Sequence, residues 1–190
     1  IAGSLPPDIS RAAITKAGPL PDPSRRDFFE RFLPESERRQ VLGAVVSPTQ
    51  VLDLTGNASR GRTVFAGVCV ACHRGNGEGI DFGSDLNHIA AKWDRSALLE
   101  QILHPSKVID PTWLTTTVEL KQGGTKVGFI TERNDRELIL KVAGGVTEKL
   151  ARADVRKTSI SDFCPIPDGL LQNLTAQEAA DLLSFLQSLK

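Results

Sequence analysis

The residues best placed to do chemistry stand five in a row, Cys69-Val70-Ala71-Cys72-His73. Cysteines three apart on one helical turn point to the same side, so both can form thioethers to the vinyl groups of a single porphyrin. The histidine that follows directly offers an imidazole nitrogen to the iron. The pattern C-x-x-C-H therefore predicts covalent attachment of one haem c, with Cys69 and Cys72 as thioethers and His73 as proximal ligand. Other uses of a close cysteine pair fit less well. Tetrahedral zinc would need two further ligands from Cys164, His88 and His104, and the usual second close pair is missing. A thioredoxin-like redox pair belongs in a βαβ setting that this sequence lacks.

Such a motif needs elements to hold it. Residues 58–68 read as a helix running straight into Cys69, with Gly61 four before the aromatic Phe65. A glycine there lets another helix approach closely, and the C-terminal segment offers Leu182 and Phe185 as the packing surface. In that segment Thr175 is an N-cap and Glu178 completes a capping box; Ala179, Leu182, Leu183, Leu186 and Leu189 recur at helical spacing. Residues 96–103 give another helical stripe, closed by His104-Pro105, and Ser47-Pro48 starts a short helix through Leu54. Gly75, Gly77, Gly79 and Gly83 make the stretch after His73 pliable enough to follow the edge of a flat ring.

Between the helices the character changes. Residues 113–121, 127–131, 137–142 and 146–150 are short β-prone runs parted by Gly123-Gly124, Asn134-Asp135 and Gly144-Gly145. They predict an antiparallel meander of about four strands. At the N-terminus, Pro6, Pro7, Pro19, Pro21 and Pro23 suggest an extended arm over residues 1–23. Residues 24–39 suggest a short amphipathic helix with Phe28, Phe29, Phe32 and Leu33 on its apolar side.

Composition narrows the function. The 190 residues carry 23 basic and 23 acidic side chains, and this balance, with no basic block, argues against a nucleic-acid binder. No uncharged run is long enough for a membrane span. The chain opens at Ile1 without a charged-then-apolar leader, so it reads as a processed or excised piece whose export signal lies outside this sequence.

Several stretches together resemble a known family. They are Gly61-Arg62-Thr63-Val64-Phe65, Cys69 to Arg74, Gly83-Ser84-Asp85-Leu86, Ile102 to Pro111 (with Pro105-Ser106-Lys107-Val108-Ile109-Asp110), and Pro167-Asp168-Gly169-Leu170 with Leu174-Thr175-Ala176-Gln177. The sequence looks like the cytochrome-c-like haem-binding domain that closes many large secreted bacterial proteins, often after propeller regions of the sugar-dehydrogenase kind or helical repeats. The likeness covers about residues 58–190. Two departures matter. The family's Gly-Pro-Asp-Leu, whose proline carbonyl accepts the proximal histidine's Nδ1–H, has Ser84 for proline; Ser84 keeps a carbonyl in a less rigid loop. The family's distal methionine is replaced by Ile166, which cannot ligate, and the chain has no methionine at all.

The sixth iron position is therefore open to four readings. Cys164, the cysteine left over after the thioethers, stands two residues from the lost methionine and leads as a thiolate ligand. The alternative is a free Cys164 thiol beside an open or water-bound iron. His88 and His104 are the remaining nitrogen donors, although His88 also suits a propionate or backbone partner and His104 suits a helix end. Trp93 and Trp113 suit the haem edge or the core, and Arg62, Arg74, Lys92 and Arg95 are candidates for propionate pairing.

The expected fold is mainly α, a cytochrome c-type helical core with a small antiparallel β meander inserted at about residues 113–151. The haem domain is expected over residues 58–190, after an N-terminal arm or linker with short helices over residues 1–57. The function implied is a monohaem electron carrier and not an enzyme, working with a redox partner protein or a fused dehydrogenase domain outside the cytoplasm, for a bacterium in the periplasm. A haem-based sensor or small-ligand binder is the alternative, and a third option is haem-based peroxide chemistry with His88 or His104 as the distal base.

Overall fold

A computed structural model describes residues 6–17, 29, 35–162 and 164–189. The chain divides into two units, residues 1–40 and residues 41–190. In the first, helix α1 (Pro7–Ala17) occupies much of the stretch expected to be an extended arm. Its prolines flank the helix instead of interrupting it: Pro7 stands in the first turn, where a missing N–H costs nothing, and Asp8 and Lys16 match the helix dipole. The helix expected over residues 24–39 falls mostly outside the described residues, Phe28, Phe32 and Leu33 among them, and a 3₁₀ turn stands at Glu35–Glu37.

The second unit contains a helical core and a sheet. Short helix α2 (Pro48–Leu52) starts from Ser47, whose backbone N–H donates to the Gln50 side chain. Helix α3 (Ala58–Val68) is capped by the Asn57 side chain, which accepts from the Arg60 N–H. After α4 (Ile89–Lys92), helix α5 (Arg95–Leu103) is capped by Asp94. Helix α6 (Ala176–Ser188) has the Thr175–Glu178 capping box expected of it.

The core sits where α3 and α6 cross. An added Cβ on Gly61 would lie 2.0 Å from the Asp181 carbonyl oxygen, so only glycine permits this approach. Phe65 and Phe185 pack beyond it with ring centroids 5.1 Å apart and planes tilted by 50°. Leu98, Leu99, Leu171, Leu182 and Leu183 belong to the same cluster.

The mainly α expectation does not hold. Among the described residues, helices account for 37% and strands for 21%. The strands are β1 (Thr116–Leu120), β2 (Thr125–Arg133), β3 (Glu137–Val142), β4 (Thr147–Ala151) and β5 (Val155–Ile160). They form one antiparallel sheet in the order β4-β3-β2-β1-β5. The first four make the expected meander, and β5 returns to pair with the free edge of β1. That strand escapes a hydrophobic-pattern reading because Arg156, Lys157, Thr158 and Ser159 are all exposed. The sheet has its own core of Val118, Leu138 and Leu140, packed with Ile130, Val142 and Leu150 on one face. It is thus a second structural layer and not an ornament on a helical bundle.

Candidate haem attachment site

The attachment motif follows directly on the C-terminus of α3 as a turn, with Cys69 as the C-cap. The Cys69 N–H donates to the Phe65 carbonyl at 2.8 Å, and the Cys69 carbonyl then accepts from the N–H groups of Cys72 and His73 at 3.1 and 2.9 Å. Cys69 is buried beside the α3–α6 core, whereas Cys72 is exposed. Burial, with the neighbouring Cys72 adding to it, pushes the Cys69 thiol, before attachment, up to about 12.

The following loop wraps back over the motif through its backbone. Ile80 donates to the Val70 carbonyl at 2.9 Å, Gly83 to the Cys72 carbonyl at 2.6 Å and Leu86 to the Arg74 carbonyl at 2.8 Å. The Asn87 side chain accepts from the Asn76 N–H at 2.7 Å. This ladder brings the Ser84 carbonyl oxygen to 2.8 Å from His73 Nδ1. A carbonyl only accepts, so Nδ1 carries the hydrogen and Nε2 keeps a free lone pair. Gly83 lies against the same ring, where an added Cβ would come within 2.7 Å of His73 Cε1. Val68, Val70, Leu86 and Ile89 pack on the core while staying half-exposed, an apolar surface next to the motif.

These residues fit haem c: two sulfurs and one imidazole at attachment spacing, the imidazole oriented and its metal-binding nitrogen unused. The chain matches the cytochrome c family over residues 58–190. It is a member of the cytochrome c family. The cytochrome carries covalently bound haem c and, with its family, belongs to haem proteins that transfer electrons between redox partners. No relative among curated proteins matches the chain. Among the described residues of the cytochrome no helix is long and apolar enough to cross a membrane.

Other candidates fall into varied places. Cys164 is half-buried, and its backbone N–H donates to the Ser106 hydroxyl at 3.1 Å. Ser106 lines an open concavity of about 480 Å³ with His104, Lys107 and Asp168. His104 is exposed at the C-cap of α5, and His88 is exposed at the N-cap of α4. Arg95 donates to the Val51 and Leu54 carbonyls at 3.2 and 2.6 Å, and Arg62 pairs with Glu78. Lys92 Nζ lies 5.5 Å from the centre of the Trp93 ring, and Trp113 meets Phe129 edge-on.

One group near the site is not visible in the sequence pattern. Asp81 and Phe82, inside the glycine-rich loop, pair with Lys141 and Phe129 of the sheet. A lone phenylalanine between glycines was the available signal, and nothing in the spacing says which strand it meets.

Proposed function

We propose that this cytochrome is a monohaem electron-transfer module in which Cys69 and Cys72 form the thioethers, His73 ligates the iron and Cys164 supplies the sixth ligand as a thiolate. The observation that carries the proximal half is the 2.8 Å bond from His73 Nδ1 to the Ser84 carbonyl, which leaves Nε2 as a preset donor beside both cysteines. Bound haem supplies a one-electron ferric–ferrous couple. The chain's own work is to fix the imidazole and keep its tautomer, with an apolar surface next to the motif.

Cys164 is supported by the absence of methionine and by the anchoring of its backbone, with His88 and His104 as the other donors. The chain has no methionine, Ile166 cannot ligate, and the Ser106 hydroxyl holds the Cys164 backbone between a stiff Pro165 and the strand before it. Thiolate ligation stabilises the ferric state and lowers the potential relative to a methionine ligand. Cys164→Ser is expected to turn a low-spin ferric spectrum into a high-spin or mixed one. An unchanged low-spin spectrum removes Cys164 from the iron.

The resemblance supports a periplasmic or extracytoplasmic location and a place at the C-terminal end of a larger secreted protein. It also supports electron exchange with a redox partner or a fused dehydrogenase domain. The lack of methionine favours one second reading, a sensor or small-ligand binder with an open distal site. Carbon monoxide separates the two, because an iron with a firmly held sixth ligand binds it poorly.

A further inference from the structure

The sheet is placed to act on the proximal histidine from outside the ligand set. Phe129 on β2 and Lys141 on β3 are direct cross-strand partners, so their side chains share one face. The sheet's own core of Val118, Leu138 and Leu140 lies on the opposite face. The Phe129 ring is buried, with its centroid 4.9 Å from that of Phe82, while Trp113 closes on it edge-on at 5.4 Å. Lys141 Nζ sits 3.0 Å from Asp81. At the β3–β4 turn, an added Cβ on Gly145 would come within 2.8 Å of Ile80 Cγ2. Three points on the sheet thus grip three consecutive residues, Ile80, Asp81 and Phe82. The next two are Gly83, against the His73 ring, and Ser84, which accepts its Nδ1–H.

We infer that the β insertion is the brace of the proximal histidine, with Phe129 and Lys141 as positioning residues that hold the 80–82 segment so that the Ser84 carbonyl stays on His73 Nδ1. The inference rests on His73 as the iron ligand. Gly79 and Gly83 flank the gripped segment, and glycine restricts its own backbone least, so the order of the loop must come from what it packs against. The consequence is electronic. A hydrogen bond to the far nitrogen raises imidazole basicity and favours ferric iron, so loosening the brace raises the reduction potential.

The test uses the intact haem-loaded chain in the ferric state and follows the shifted proton resonance of His73 Nδ1–H, together with the midpoint potential. A parent protein without a slowly exchanging resonance from His73 overturns the ligand reading and this inference with it. With the resonance present, Phe129→Ala is expected to speed its exchange with solvent at least threefold and to raise the potential. A tenfold loss of preference for ferric over ferrous iron reads as about 59 mV. Phe129→Leu, which keeps most of the apolar volume, restores most of the protection. Val127→Ala, at an exposed site on the same strand, leaves both readouts unchanged. If Phe129→Ala does not fold, Lys141→Gln decides: exchange quickens and the potential rises, whereas the loss of a positive charge alone would lower it. Exchange unchanged in the folded brace variants, or changed equally in Val127→Ala, overturns the inference.

Discussion

Single atoms decide the proximal geometry. His73 is oriented by one carbonyl and by the missing side chain of Gly83, which leaves the ring edge open. Gly83→Ala places a methyl group where His73 Cε1 already stands, so the ring must turn or the loop must retreat. We expect a loss of about 1–3 kcal/mol in stability, the usual cost of overpacking, together with a mixed-spin ferric spectrum. Guanidinium denaturation and the visible spectrum check the two effects separately. The cysteines, the histidine and the absent methionine were legible from residue types and spacing alone. The Ser84 contact was implied by the resemblance and not by spacing, because the Nδ1 bond depends on how residues 74–88 fold back.

At the scale of elements, the α3–α6 crossing carries the motif. Gly61→Ala would drive a Cβ into the Asp181 carbonyl, and we expect about 1–3 kcal/mol of destabilisation by chemical denaturation. Asp181 ties the same crossing together. Its buried carboxylate accepts from the Asn57 N–H at 2.7 Å, from Arg60 Nε at 2.6 Å and from Gln177 at 2.9 Å. Burial pushes the carboxyl up, but the hydrogen bonds from Arg60, Gln177 and Asn57 outweigh it and hold the group below its ordinary 3.8. A depressed carboxyl contributes stability above its unfolded pKa, and that contribution fades as pH falls through the lower folded value. Asp181→Asn should therefore cost about 1–3 kcal/mol at pH near 7 and show a flatter loss of stability below pH about 4 in urea titrations. A parallel acid profile in parent and variant would count against this account. The helix and its glycine were readable from periodicity, whereas Asp181 occupies an unremarked position within an amphipathic repeat.

At the scale of the whole molecule, the two cores of the described residues meet through the proximal loop. The ends of the sheet lie side by side: Thr116 pairs with Ile160, and the Ser161 N–H donates to the Thr115 carbonyl at 2.8 Å. Replacing residues 116–160 by an Asn-Gly turn should therefore leave the helical core folded, since its apolar cluster is separate from that of the sheet. The cost should be about 1.5–3 kcal/mol for uncovering Phe82. Circular dichroism should retain the helical signal, and exchange at His73 should quicken as in the brace variants. Loss of all helical structure would show that the sheet is needed for folding and not only for positioning.

Helices announced by caps, glycine and a period of 3.6 were determined by sequence, because those signals act within a few residues. So was the haem motif, whose chemistry needs only three side chains at fixed spacing. The expected mainly α balance failed for a complementary reason. Strand β5 is polar and exposed, and it becomes a strand only because the edge of β1 is available to pair with it. The contacts of Phe129 with Phe82 and of Lys141 with Asp81 join residues far apart in the chain. Such pairings depend on how a sheet twists and docks, which local pattern does not encode, and only the tertiary structure decided them.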